Sequence, residues 1–367
     1  MIFLGKNEKD QLGFREFFSI IFITIGLKGT DMSTVLLFKE GLNAAWMIVI
    51  GSFLLIIPSL LLLNSVLKKY QCKNILEVIQ LTLGKPFAFA IALIMLGFTL
   101  LNTATEARSY MTQLITINFP NTPLFILSLC FLMLCMWGAK KGWESVGAIA
   151  WMTFPYLMIT VGFLLFLMFK DAVINRMFPL FGTGKWEIAK ASFNFTSLFG
   201  DTLVYAMMYP FVKNHQTYIR SLYSSLLFTV FLMVLFYLSY IWIFDYRSIG
   251  KITFPFNEVI RFVSLGRSIT NIETFFITIW LVAVFVKFTI YIYLVGKIFG
   301  FLFQIEEFEQ TILPITILML VIGMIPENNE INIFQIRTSS LAYFKYLILF
   351  LPPILWAAAK IKEARAK

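Results

Sequence analysis

Groups that hold metals or move electrons are scarce in this chain. It has one histidine, His215, and three cysteines, Cys72, Cys130 and Cys135, with no C-x-x-C pair among them. That spacing suggests no disulfide framework and no zinc site of ordinary ligand pattern. Cys130 and Cys135 lie in an apolar run and read as packing residues; His215, beside Lys213 and Asn214, reads as a solvated loop residue. No H-E-x-x-H, G-x-S-x-G or phosphate-loop motif occurs, so no catalytic residue, metal or cofactor is expected. Charge is scarce as well. Only 14% of residues are Asp, Glu, Lys or Arg, against roughly a quarter in soluble proteins.

Apolar residues fill the space. They make up 59% of the chain, with 41 Phe and 8 Trp, in repeated runs of about 20 residues that match the width of a bilayer. The first run is followed by no small-residue cleavage site and reads as an uncleaved first span. The net charge of +10 is spread through short loops and the C-terminal tail, so nucleic acid is not an expected partner; the lipid bilayer is. Ten spans are predicted, at 14–38, 44–67, 86–117, 121–138, 144–169, 188–212, 217–244, 270–303, 309–325 and 339–358. An even number puts both termini on one side. Taking that side as the cytoplasm places 16 Lys and Arg inside and 10 outside, Arg337 among the latter, which favours termini-in. Loops 170–187 and 245–269 carry amphipathic stretches and are expected to form short helices over the external mouth.

Two spans are interrupted. The first stops at Gly26-Leu27-Lys28-Gly29-Thr30-Asp31 and resumes at Ser33; the sixth stops at Gly200-Asp201-Thr202 and resumes at Leu203. Helix ends inside a membrane need partners for their backbone groups, and matched breaks in two halves mark a transporter-type site. Ten spans with breaks in the first and sixth divide as five plus five. An odd-membered repeat enters the membrane from opposite sides, which gives an inverted repeat with residues 14–169 and 188–358 as its halves and 359–367 as a basic cytoplasmic tail.

Several stretches then carry a resemblance. They are Asn74-Ile75-Leu76-Glu77, Glu106-Ala107-Arg108, Lys141-Gly142-Trp143-Glu144, Phe178-Pro179-Leu180-Phe181-Gly182, Phe199-Gly200-Asp201 and Phe254-Pro255-Phe256-Asn257-Glu258-Val259-Ile260-Arg261, leading to Ile272-Glu273-Thr274. In this order the chain resembles the B subunits of bacterial spore germinant receptors, a branch of the amino acid–polyamine–organocation (APC) superfamily. The resemblance implies an all-α membrane protein of ten transmembrane helices. It would have the LeuT-type 5+5 inverted repeat with helices 1 and 6 broken, reside in the spore inner membrane, and sense nutrients beside A and C subunits. In that family the first break usually holds a proline. Here it holds two charges and none.

The expected ligand is a small nutrient such as an amino acid. Gly26 and Gly29 would let the backbone approach it, and amides from Thr30 onward would hold its carboxylate. Ser197, Leu198, Phe199, Gly200 and Asp201 would line the second break, with Asp201 receiving an ammonium or capping the next half-helix. A bulky residue at Gly200 is expected to block ligand and spare the fold. Lys28 and Asp31, three apart, pair with each other or serve the ligand, or else the break lies near the external surface and Lys28 is solvated. Lys287, midway along the eighth span, is an intramembrane charge and so a functional candidate. By the resemblance it would sit where sodium-coupled relatives hold sodium, on carbonyls near Ile23 to Gly26, or else pair with Glu106 or Asp201. The polar stretch Asn102, Thr103, Thr105, Glu106, Arg108, Tyr110 reads first as the outer end of a tilted helix reaching the headgroups, and alternatively as a pathway lining in which Asn102 and Glu106 take part. Three rival readings are a proton-coupled amino acid permease, an assembly subunit with a vestigial cavity, and a channel, for which no ring of charges argues.

Overall fold

The computed structural model describes residues 11–71, 73–262 and 272–366. Expectations resting on Lys6, Lys9, Cys72, 263–271 and Lys367 lie outside them. The described residues are helical and hold a single isolated backbone bridge, Leu12 to Val212. The first span is α1 (Phe14–Gly26), a 3-10 turn (Leu27–Gly29) and α2 (Ser33–Gly41). The next four are α3 (Ala45–Lys69), α5 (Lys85–Asn118), α6 (Leu124–Ala139) and α7 (Gly142–Phe169), with α4 (Ile75–Leu83) between α3 and α5. The sixth span is α8 (Lys185–Asn194), a 3-10 turn (Thr196–Phe199), α9 (Asp201–Tyr205) and a second 3-10 stretch (Ala206–Phe211). Then come α10 (His215–Phe244), the short α11 (Tyr246–Ile249) and α12 (Pro255–Phe262), and α13 (Ile272–Phe303). The chain closes with α14 (Ile312–Met324), a π-helical turn (Ile331–Arg337) and α15 (Thr338–Ala366).

Ten apolar segments thus form two sets of five, and each set opens on an interrupted helix. Leu, Ile, Val and Phe surround most of these helices. A helix apolar all round belongs in lipid or in the middle of a bundle. The chain is a multi-pass membrane protein. Its inner layer packs α1 against α10, α7 and α13, and α5 against α13 and α14. Phe17, Ile20, Ile21 and Ile23 of α1 are fully buried, which makes α1 a central helix.

Three local features explain how the chain turns. Asn74 and Glu77 form a capping box that starts α4: the Asn74 side chain accepts from the Glu77 amide and the Glu77 carboxylate accepts from the Asn74 amide. Gly84, at φ +96°, takes the left-handed turn between α4 and α5 that a side chain would strain. At the opposite end of the first span, the Leu12 amide donates to Phe211 O at 2.8 Å and the Lys213 amide donates to Leu12 O at 3.1 Å. The start of the first span and the end of the sixth therefore lie at the same membrane face.

Residues 359–366 continue α15 as helix; Lys362 donates to Leu81 O at 2.6 Å and Glu363 pairs with Lys69 at 3.0 Å. One detail departs from the sequence reading: His215 is the first residue of α10, half-buried, with Nδ1 3.1 Å from the Tyr209 hydroxyl. Of the two loops, 170–187 holds only a 3-10 turn (Ile174–Met177) before α8, while the described part of 245–269 holds α11 and α12, and α12 is laid inward: Phe256, Val259 and Ile260 are buried and Gln113 of α5 donates to Asn257 Oδ1 at 2.7 Å.

Candidate functional site

The two breaks meet at one side chain. Lys28 sits in the 3-10 turn that ends α1, and its Nζ lies 2.8 Å from Leu198 O and 2.5 Å from Asp201 Oδ2. Both acceptors belong to the second break. A 3-10 turn leaves carbonyls of a helix end without their usual partner, and Leu198 O is one of them. The expected pairing of Lys28 with Asp31 is not formed, because residues 27–32 are no longer α-helical and the two side chains diverge.

Asp31 has other work. Its Oδ1 accepts from the Ser33 amide at 2.7 Å, at the start of α2, and its Oδ2 accepts from Arg337 Nη2 at 2.7 Å. The same Arg337 nitrogen donates to Glu106 Oε1 at 2.7 Å, and Glu106 Oε2 accepts from Lys287 Nζ at 2.8 Å. Lys287 therefore rests on Glu106, not on carbonyls near Ile23 to Gly26, and reaches the Tyr110 hydroxyl at 3.4 Å. The Tyr110 hydroxyl in turn donates to Leu27 O at 3.3 Å.

Six charges result, three of each sign: Lys28, Lys287 and Arg337 against Asp31, Glu106 and Asp201. None is more than 5% exposed. An unpaired charge at this depth would cost several kcal/mol, so the set is tolerable only because it is neutral as a whole.

The amides expected to hold a ligand carboxylate are already engaged. Besides Ser33, the Thr34 amide donates to Asp31 O at 3.2 Å, the Val35 amide to Met32 O at 3.1 Å and the Thr30 amide to Leu27 O at 3.0 Å. The Thr30 hydroxyl donates to Leu27 O at 2.8 Å and accepts from Trp280 Nε1 at 3.1 Å, while Tyr240 donates to Gly29 O at 3.0 Å. Gly26 and Gly29 face α10, where added Cβ atoms would meet Thr229 at 3.9 Å and Met233 at 3.3 Å. In the second break Phe199 packs its ring 5.6 Å from Phe53, and Ser197 Oγ is buried with no hydrogen-bond partner among the described residues. Asp201 is the first residue of α9 and makes no side-chain cap.

Two cavities adjoin the breaks. One, of about 10 Å³, room for about one water, is lined by Phe98, Thr99, Asn102, Thr103, Glu106, Asp201, Val204 and Tyr291. The other, of about 50 Å³, is apolar and runs along Gly26, Leu27 and Thr30 beneath Phe256 and Trp280.

A sequence-family model for spore germination proteins matches residues 11–331. The chain belongs to the spore germination protein family. Spore germination protein GerQB of Bacillus cereus is 25% identical over 300 residues, covering 80% of this chain and 81% of that protein. GerLB of the same species is 22% identical over 356 residues, covering 94% and 93%. Among solved structures, MhsT in complex with L-phenylalanine superposes with a TM-score of 0.64 at 13% identity over 94% of this chain and 97% of that one. A substrate-bound, outward-open Na+-coupled sialic acid symporter gives 0.66 at 12% identity over 96% and 78%. This germination protein therefore has the LeuT-type transporter fold.

Two members of the site in this spore germination protein were misread in sequence. Glu106 and the polar stretch around it lie inside the bundle, not in the headgroups, and Arg337, counted as an outside charge, is buried. The usable signal was charge balance: Lys287 had to find a carboxylate, and Glu106 is the only Asp or Glu in the predicted third span. The Gly200 expectation also changes. A Cβ there would fall 2.8 Å from Ile348, 3.0 Å from Phe344 and 2.9 Å from Ser197 O, so a bulky residue would displace α15 before it met any ligand.

Proposed function

We propose that this chain is the nutrient-sensing B-type subunit of a spore germinant receptor, a single transmembrane unit of two repeats in the spore inner membrane with both termini in the cytoplasm. It binds a small nutrient, an amino acid in our reading, between the breaks and passes the change in the bundle to A and C partner subunits. The observation that carries this reading is the Lys28 bridge. The two breaks are held together by one buried ammonium on a carbonyl and a carboxylate, contacts that a ligand can exchange without unfolding either helix. Asn102, Glu106 and Asp201 border the adjoining polar cavity, and Ser197 and Leu198 complete the second break. A nutrient that binds the open arrangement more tightly than the closed one shifts the equilibrium between them.

Purified protein is expected to gain about 3 °C or more in unfolding midpoint with one member of an amino acid panel at saturating concentration. A flat response across amino acids, nucleosides and sugars would remove the sensing reading. One observation favours the alternative of a proton-coupled permease: two carboxylates, Glu106 and Asp201, border a mid-bundle cavity. Concentrative amino acid uptake by the lone chain in proteoliposomes carrying a pH gradient would decide for it.

A further inference from the structure

The first break carries an ammonium and a carboxylate three residues apart, and each occupies a helix end. The Lys28 ammonium rests on Leu198 O and Asp201 at the second break; the Asp31 carboxylate rests on the Ser33 amide at the start of α2. A free amino acid brings the same two groups, and the chemistry of the two ends suits them: carbonyl and carboxylate take N–H donors, amides take an anion. A second observation concerns the neighbouring cavity. Asn102 Oδ1, in a residue more than nine-tenths buried, has no hydrogen-bond partner among the described residues, and the cavity that Asn102 lines is also bordered by the Glu106 and Asp201 carboxylates. Thr99 and Thr103 spend their hydroxyl protons on Met95 O and Thr99 O. The cavity thus gathers two carboxylates and an unpartnered amide oxygen, and the buried Tyr291 hydroxyl, also without a partner among the described residues, is the free O–H beside them.

We infer that Leu198 O and Asp201 form a primary-ammonium subsite that Lys28 fills as a tethered surrogate. An amine-bearing ligand then enters only by displacing Lys28 from its two acceptors; because Lys28 is tethered and remains nearby, an alkylammonium adds one positive charge to the cluster, whereas a ligand that also brings a carboxylate adds none. The ligand class favoured at this place is the zwitterion, and simple alkylamines are excluded from the wild-type protein. The inference rests on the proposed nutrient site and adds to it the identity of the group that the nutrient replaces.

Chemical rescue tests it. Lys28→Ala opens the subsite, and Lys28→Met keeps most of the stem's packing while removing the charge. Unfolding midpoints are measured for the purified full chain in methylammonium chloride and, at equal ionic strength, in sodium chloride and tetramethylammonium chloride. Methylammonium is expected to raise the Lys28→Ala midpoint by about 3 °C or more and the wild-type midpoint by less than about 1 °C. Tetramethylammonium, which has no N–H for Leu198 O, gives no rise, and adding Asp201→Asn to Lys28→Ala abolishes the methylammonium effect. Equal shifts in wild type and variant, or no shift in either Lys28 variant, overturn the surrogate. So does failure of both variants to fold even with methylammonium present. Rescue with no nutrient response in the wild type would leave the surrogate standing and sink the nutrient reading; a nutrient response without rescue would do the reverse.

Discussion

Glu106→Gln is expected to lower stability by about 3–5 kcal/mol, among the largest losses available from a single substitution in this chain. Glu106 is the only described carboxylate in contact with Lys287, and it shares Arg337 with Asp31. The amide can still accept hydrogen bonds, so shape and polarity are nearly kept; what is lost is one negative charge between two buried cations. Adding Lys287→Met returns the cluster to neutrality, because it then holds two charges of each sign. The double variant should therefore recover at least about 1 kcal/mol relative to Glu106→Gln alone, a non-additivity of the kind contacting buried charges show. Reversible unfolding in mixed micelles, or midpoints in one detergent, would read it. A double variant that is worse than either single one would mean that the balance of charge is not what holds the cluster.

Arg337→Leu is expected to cost a similar amount, about 3–5 kcal/mol, by the opposite imbalance. It leaves Asp31 without a cation among the described residues and leaves Glu106 with Lys287 alone. The loss should be concentrated at α2, since the Asp31 carboxylate that accepts from the Ser33 amide at its start would be left as an unpaired buried charge. Arg337 stands in a π-helical turn, a backbone form that often marks functional positions. That turn is tied to α5 through Asn332, whose Nδ2 donates to Thr105 O at 3.0 Å and Ser109 Oγ at 2.9 Å. Asp31→Asn in the Arg337→Leu background should restore about 1 kcal/mol or more, read as the midpoint. Hydrogen exchange at Ser33, Thr34 and Val35 is expected to rise in the single variant and fall back in the double.

The sequence offered Glu106 as one of two carboxylate partners for Lys287, but it could not place Arg337 between Glu106 and Asp31. The ten spans and the two breaks were legible because bilayer-length apolar runs and Gly-rich polar interruptions are local signals. Lys287 stood out because no other charge lies between Glu273 and Lys297. Arg337 did not, because a charge at the edge of a span defaults to the headgroups, and only the fold turns that edge inward. The α4 helix was overlooked although Asn74 and Glu77 carry the three-residue spacing of a capping box. Lys28 and Asp31 are tied to each other by a spacing that brings side chains together only on a continuous helix, and here both fall between the end of α1 and the start of α2. Their true partners, Asp201 and Arg337, lie in distant parts of the chain and become neighbours only when the second set of spans closes on the first.

The contact on which the rest depends is the one between Lys28 and Asp201. A double-mutant cycle with Lys28→Met and Asp201→Leu, followed by unfolding midpoints converted to free energy, tests it most directly. The two breaks face each other if the singles are each strongly destabilising and the pair is not, with a coupling of about 2 kcal/mol or more. Losses that simply add would mean that these side chains do not meet, and that no site lies between the breaks.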